Sequence, residues 1–236
     1  MAGAMLLGWG LTMGVRHSGP TLERLLEIKS VTVEGVSRIN KQELIDLVGL
    51  KPGTPLHHVV TTAVQERVEA HPWVKEAVVT RVPFNELQIS VIERKPAAVI
   101  HTGSENFLSD EAGHVLTRLG QADDDTLPMV TGVDPNALLR GDRSVRQAII
   151  SGIELAKLVS HTYEGRLQVN AENPSNLVAS VRGVHFHFGD EAVGEQWERF
   201  QRVKPTLRTL NFDGHGSGAN EVDLRYENRI IVRERG

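Results

Sequence analysis

The chain has 236 residues, 40% of them hydrophobic and 24% charged, with no cysteine. That apolar content fills ordinary packed cores and excludes disorder of the whole chain. The 26 basic and 30 acidic side chains leave a formal net charge of −4, which argues against duplex nucleic acid as a partner, since that ligand demands a dense positive field. Without cysteine there is no disulfide framework, thiolate zinc site or cysteine nucleophile.

Residues 1–15 carry no charge and are closed by Arg16 and His17. As a helix they reach only ~22 Å, short of a hydrocarbon core of roughly 30 Å. A signal peptide would show a basic start, and no Lys or Arg precedes Arg16. Leu6, Leu7, Trp9, Leu11, Met13 and Val15 spread around the helix instead of lining one stripe, a distribution that suits lipid. The expectation is a transmembrane helix over residues 1–15 whose upstream part precedes Met1. A signal-like or interfacial segment and a buried N-terminal helix stay open as alternatives. Residues 16–27, with the breaker Ser18-Gly19-Pro20, read as a tether holding a short helix over 22–26.

From residue 28 the pattern becomes that of a folded domain. Val31 and Val33 alternate with Thr32 and Glu34, the mark of a half-buried strand. Asn40 is placed to cap a helix over 41–48, with Glu43 as its capping-box acid and Gly49 as its stop. Leu56, Val60, Ala63, Val64 and Val68 recur at helical spacing, predicting a second helix that runs to Ala70 and ends before Pro72. Strands are predicted over 73–82 and 87–93, joined by the hairpin-length loop Pro83-Phe84-Asn85-Glu86. The resulting order, β-α-α-β-β, implies two helices over one face of a three-stranded sheet.

Arg94-Lys95-Pro96 is a polar joint, and a strand-rich pattern follows it. Short strands are predicted over 97–101, 106–109, 114–118 and 127–131, with a turn at Asp110-Glu111-Ala112-Gly113. A helix over 144–160 turns Val145, Ala148, Ile149, Ile153, Ala156 and Val159 inward. Further strands are expected over 166–169, 176–181 and 184–188, then an amphipathic helix over 192–210 that Pro205 should break or kink. A glycine-rich loop over 211–220 leads to residues 221–233, one long strand or a hairpin, with Val222, Leu224 and Tyr226 on one face and a possible turn at Glu227-Asn228. The fold class is α+β: an N-terminal anchor segment, a β-α-α-β-β domain, then a β-rich domain with two helices over an antiparallel or mixed sheet.

Catalytic and cofactor chemistry finds little support. His185 and His187 share one face of a strand, but no third ligand is spaced to complete a metal site, and His57 and His58 are expected to project in different directions. In Gly214-His215-Gly216-Ser217-Gly218 the lysine of a phosphate-binding loop is missing, and the spacing does not fit a serine nucleophile elbow. Asp123 to Asp125 lacks the ligand pattern of a calcium loop. Glu191, Glu195 and Glu198 read as helix-surface charges with Arg199 and Arg202 as ordinary partners. No catalytic, metal or cofactor-binding residue is assigned.

Four groups of residues carry a resemblance. Val31-x-Val33-x-Gly35, Leu50-x-x-Gly53-x-Pro55-Leu56, His71-Pro72-Trp73-Val74 and Leu87-x-Ile89-x-Val91-x-Glu93-Arg94-x-Pro96-x-Ala98 resemble the POTRA module of bacterial envelope proteins, and their wording is similar to the FtsQ/DivIB family of cell-division proteins. Leu108-x-Asp110-x-x-Gly113-x-Val115, Leu127-Pro128-x-Val130-x-Gly132 and Asp223-Leu224-Arg225-Tyr226 continue the resemblance in the same order. It implies a tether over 16–27, a POTRA domain over 28–96 and an FtsQ-type β domain over 97–236. Phe84-Asn85 stands where the family commonly has Trp-Pro, and Arg229 where it commonly has Gly.

The resemblance further implies a single-pass protein of the bacterial inner membrane, mostly periplasmic, at the division septum. Its role would be a non-enzymatic scaffold that binds FtsB- and FtsL-like partners and helps coordinate septal peptidoglycan synthesis. The POTRA module would meet other division proteins, and the edge of the last strand would accept a strand from an FtsB-like partner. Carried onto this sequence, that edge is Tyr226, Glu227, Asn228, Arg229, Ile230, Ile231 and Val232, with Tyr226 as the aromatic anchor. The apolar run Ile230-Ile231-Val232 suits an interface, because alternation would put apolar side chains on both strand faces. Two other roles for a POTRA-bearing chain are an outer-membrane assembly or secretion factor and a periplasmic enzyme with a POTRA-like accessory domain. A sixteen-stranded barrel of ~10-residue strands needs about 160 residues before loops, more than follow Pro96.

Overall fold

The computed structural model describes residues 26–51, 53–124, 126–207 and 219–234. The expected anchor over 1–15, nearly all of the tether and most of the glycine-rich loop lie outside them. Among the described residues no helix is long and apolar enough to cross a membrane. The chain divides into two compact units that meet in sequence at Arg94 and Lys95, each with a hydrophobic core of its own.

The first unit is β1 (Ser30–Glu34), α1 (Lys41–Val48), a 3-10 turn (Leu56–His58), α2 (Thr61–Glu69), β2 (Val74–Val82) and β3 (Glu86–Glu93). Its sheet has the order β1-β3-β2, with β1 parallel and β2 antiparallel to the central β3. Asn40 caps α1 by accepting the Gln42 N–H, and Gly49 ends it at φ +62°. Glu43, expected in a capping box, lies 3.2 Å from His71 Nε2. The single helix expected from Leu56 is two pieces, because Val59 and Val60 are extended between the 3-10 turn and α2. His57 and His58, expected to diverge, have ring centroids 4.1 Å apart in that turn. Leu44, Val64, Val68, Leu87 and Ile89 are fully buried and join the helices to the sheet.

One side chain closes the end of this unit opposite the β2–β3 loop. The Glu93 carboxylate accepts the backbone N–H groups of Ser37, Arg38 and Ile39 and the Ser37 hydroxyl. Partial burial pushes its pKa up, but the hydrogen bonds from Ile39, Ser37 and Arg38 outweigh this and hold it below the usual glutamate value. The adjoining Gly35 sits at φ +82°, and a Cβ there would come within 2.1 Å of the Val91 carbonyl oxygen.

The second unit holds β4 (Ala98–His101), β5 (Asn106–Ser109), β6 (Val115–Arg118), β7 (Met129–Thr131), α3 (Pro135–Arg140), α4 (Arg143–Ser160), β8 (Gln168–Asn170), β9 (Leu177–Val181), β10 (Val184–Phe188), α5 (Val193–Val203), β11 (Ala219–Asp223) and β12 (Ile231–Glu234). Helix α3 was not expected; its signal is Asp134-Pro135, where Asp134 accepts the Asn136 and Ala137 N–H groups and Pro135 opens the helix. The long helix expected over 192–210 is α5 followed by a 3-10 turn (Lys204–Thr206) that holds Pro205. Residues 208–210 lie outside the described residues.

The nine strands form one mixed sheet in the order β12-β11-β10-β9-β8-β7-β4-β5-β6. Of its three parallel pairs, β4 with β7, β7 with β8 and β10 with β11, the last two are each linked by a helical crossover. The antiparallel steps through β9 leave both pairs pointing the same way, and both crossovers advance in the same direction across the sheet. Right-handed crossovers therefore put α4 and α5 on the same face. There Ile149, Ile153, Trp197 and Phe200 pack with Val169, Ala179, Phe186, Phe188 and Val222. Phe186 lies with its ring centroid 5.3 Å from those of Trp197 and Phe200.

Candidate partner-binding edge

The sheet ends in a hairpin made by β11 and β12, and β12 is its terminal strand. Val222 stands opposite Val232, Asp223 opposite Ile231, and Glu221 opposite Arg233, with a bulge between Ala219 and Glu221. The turn falls at Glu227-Asn228, as the sequence suggests. This register sorts the side chains. Val222 and Leu224 are fully buried, with Ile230 and Val232 packed against the same core. Ile231 lies on the other face beside His187, Glu221, Asp223, Arg225 and Arg233.

The seven residues expected to form the edge divide between two structures. Ile231 and Val232 are the first two residues of β12. Tyr226, Glu227, Asn228, Arg229 and Ile230 precede it as the hairpin turn and its flanks. Tyr226 leaves the face it was expected to share with Val222 and Leu224 and is 38% exposed, its ring covered by the Arg229 guanidinium 4.2 Å from the centroid. Arg229, standing where a glycine is common in the family, thus shields the aromatic ring.

Polar contacts stiffen the hairpin from within. Arg225 grips the Asp223 carboxylate with both Nε and a terminal nitrogen at 2.8 and 2.6 Å. That hydrogen bond is the chief reason the Asp223 pKa is held below the usual range. Across the strands Arg233 donates to Glu221 at 2.6 Å and lowers the Glu221 pKa. His187, under this layer, has its pKa pushed down first by burial, with Glu221 and Asp223 opposing and Arg225 and His185 assisting. His185, its partner in the pair considered for a metal, meets Ser180 Oγ at 2.7 Å.

Sequence reasoning missed two anchoring residues. Arg199, read as a helix-surface charge, donates to the Leu224 carbonyl at 2.9 Å and pairs with Glu191 at 3.2 Å, tying α5 to the segment that leaves β11. Gln196 is fully buried and bonds the N–H and C=O of Gly189 and the C=O of Glu191, fixing the entry to α5. Neither could be found from i, i+4 charge patterning, because both bind backbone groups outside the helix. The Asp223-Leu224-Arg225-Tyr226 motif did point to the place.

Residues 26–94 match the model of the FtsQ-type POTRA domain. The cell division protein FtsQ of Syntrophotalea carbinolica is 28% identical over 88% of this chain and 73% of its own length. Those of an Anaeromyxobacter species and of Myxococcus fulvus are 29% and 27% identical over 95% and 94% of this chain, covering 74% and 78% of the relatives. The chain is thus similar to FtsQ cell-division proteins over most of its length, and its first unit carries their type of POTRA domain. Its FtsQ relatives are division proteins, which supports a role in cell division. The FtsQ-type module is the first unit, and the FtsQ relatives extend through the β-rich unit that carries the hairpin.

Proposed function

We propose that this chain is a non-enzymatic scaffold of the division machinery, anchored in the inner membrane by residues 1–15, that holds an FtsB-like partner, with its FtsL-like companion, by strand addition to β12. The carrying observation is that, among the described residues, β12 ends the nine-stranded sheet while the segment that leaves β11 is tied to α5 by the Arg199 bond to the Leu224 carbonyl. A terminal strand carries N–H and C=O groups that a partner strand can use, and neighbouring side chains select which strand fits. Ile231 supplies apolar surface on the solvent face, and Tyr226 with Arg229 supplies a cation-aromatic pair at the turn. The other terminal strand, β6, ends in exposed Thr117 and Arg118, a polar edge of the kind that discourages pairing. With such a scaffold, most of the chain lies in the periplasm at the septum, and the POTRA unit is left for other division proteins.

In a strand, consecutive residues direct their N–H and C=O groups to opposite sides. One of Ile231 and Val232 therefore faces β11, and the other faces the open edge. Binding of an FtsB-like periplasmic peptide to the full chain, titrated calorimetrically, should be abolished by proline at the outward residue, and Tyr226→Ala should cost about 2 kcal/mol. Full affinity in both Ile231→Pro and Val232→Pro, with Tyr226→Ala neutral, would remove the edge from consideration.

A further inference from the structure

We infer that the end of the first unit bearing the β2–β3 loop is a lipid-surface contact, with Phe84 entering the bilayer interface; the inference rests on the reading of residues 1–15 as a membrane anchor. Phe84 is 91% exposed at the apex of the loop between Val82 and Glu86. Its φ is +68° and that of Asn85 is +64°, a region that glycine, asparagine and aspartate enter with little strain and a bulky aromatic does not. The ring is thus held in a strained conformation while leaving its surface to solvent. The hairpin turn itself demands positive φ at both positions, so the fold accounts for the conformation but not for an exposed aromatic ring in it, and a residue so ill-suited to its place is a pointer to function.

The surroundings indicate which partner fits. The Lys29 N–H donates to the Asn85 carbonyl at 2.8 Å, the Ile28 N–H to Thr54, and the Leu56 N–H to Leu26. These bonds put the start of the described chain at the same end as the loop. Leu26 there is 46% exposed. Arg81 donates to the Val59 carbonyl, which brings Val60, 61% exposed, to that end as well. Lys29, Lys51 and Arg81 are exposed around these apolar groups, against the half-buried Glu27 and Glu86. An aromatic wedge with aliphatic neighbours and a basic rim is the composition of an interfacial contact with anionic lipid.

Position completes the argument. Residues 16–25 are ten residues long and span at most about 35 Å when extended. With residues 1–15 in the bilayer, the tether delivers the end bearing Leu26 and Phe84 to the membrane surface. The opposite end, where Glu93 binds Ser37 to Ile39, is the far one.

The absence of cysteine makes a direct test clean. Full-length Phe84→Cys and, as a control at the opposite end of the same unit, the exposed Lys75→Cys are labelled with an environment-sensitive dye and reconstituted into vesicles of phosphatidylglycerol and phosphatidylethanolamine. The dye at 84 should emit at shorter wavelength and be quenched severalfold more by spin-labelled lipid than the dye at 75. Val60→Cys should show a smaller shift of the same sign. Retention of the chain on vesicles after alkaline washing tests the anchor separately. Retention with a fully aqueous dye at 84 overturns the lipid contact and leaves the anchor standing, assigning Phe84 to a protein partner instead. Loss of the chain from the vesicles overturns both.

Discussion

Single residues set the geometry of the first unit through backbone conformations that only some side chains tolerate. Gly35 closes the end of β1, where a Cβ would overlap the Val91 carbonyl on β3. The required shift of a central strand makes Gly35→Ala destabilising by about 2–4 kcal/mol, measurable as a lowered urea midpoint followed at Trp73. Phe84 is the reverse case, since the fold would be more stable without it. Asparagine enters the same φ region at little cost, so Phe84→Asn should raise stability by about 1 kcal/mol. Slower amide exchange along β2 and β3 would register the gain, and unchanged exchange would mean that the strain has been relieved in some other way. A residue kept against stability in this manner points outward, to whatever its ring touches.

At the scale of elements, the terminal hairpin depends on charge states that acid removes. His187 lies beneath it with a pKa depressed chiefly by burial, so the folded hairpin prefers the neutral ring. A depressed pKa gives stability that is fully present above the ordinary histidine value of about 6.5 and is lost as pH falls toward the lower folded value. Asp223 and Glu221 are held below their ordinary values by Arg225 and Arg233, and their contribution is lost only at more acid pH, in the same direction. Amide protection in β10 to β12 should therefore fall in two stages, the first setting in below about pH 6.5 and the second below about pH 4. His187→Gln should flatten the first stage and leave the second. An identical first stage in the variant would assign it to another group. The ion pair between Glu221 and Arg233 is surface-exposed and contributes little by itself; the larger constraint is the Arg199 bond to the Leu224 carbonyl, which lies deeper.

For the whole molecule, the relevant fact is that two cores are built from different stretches of chain. Leu87 is fully buried in the first, and Leu87→Ala should cost it about 2–5 kcal/mol. Trp73 packs in the first unit and Trp197 in the second, so fluorine NMR of fluorotryptophan-labelled protein, in which each indole gives its own resonance, follows the two apart. The expected result is an earlier transition at Trp73, with the signal from Trp197 retained until its own unit melts.

The sequence by itself determined the elements, because periodicity, caps and turn residues act over a few residues. Asn40 and Gly49 delimit α1, and the alternation of Val184, Phe186 and Phe188 makes β10. The motifs also pointed to the FtsQ proteins to which the chain is similar. Local signals misled where a neighbour competed: helical spacing from Leu56 to Val68 hid the extended break at Val59 and Val60, and Pro205 entered a 3-10 turn. Only the tertiary structure decided that β1 runs parallel to β3, that the two crossovers bring α4 and α5 to one face, and that Arg199 reaches Leu224. It alone decided that Phe84 points away from every core while Ile230 and Val232 pack inward. Strand order, register and exposure are set by contacts between residues tens of positions apart, and one sequence carries no record of which of its strands will meet.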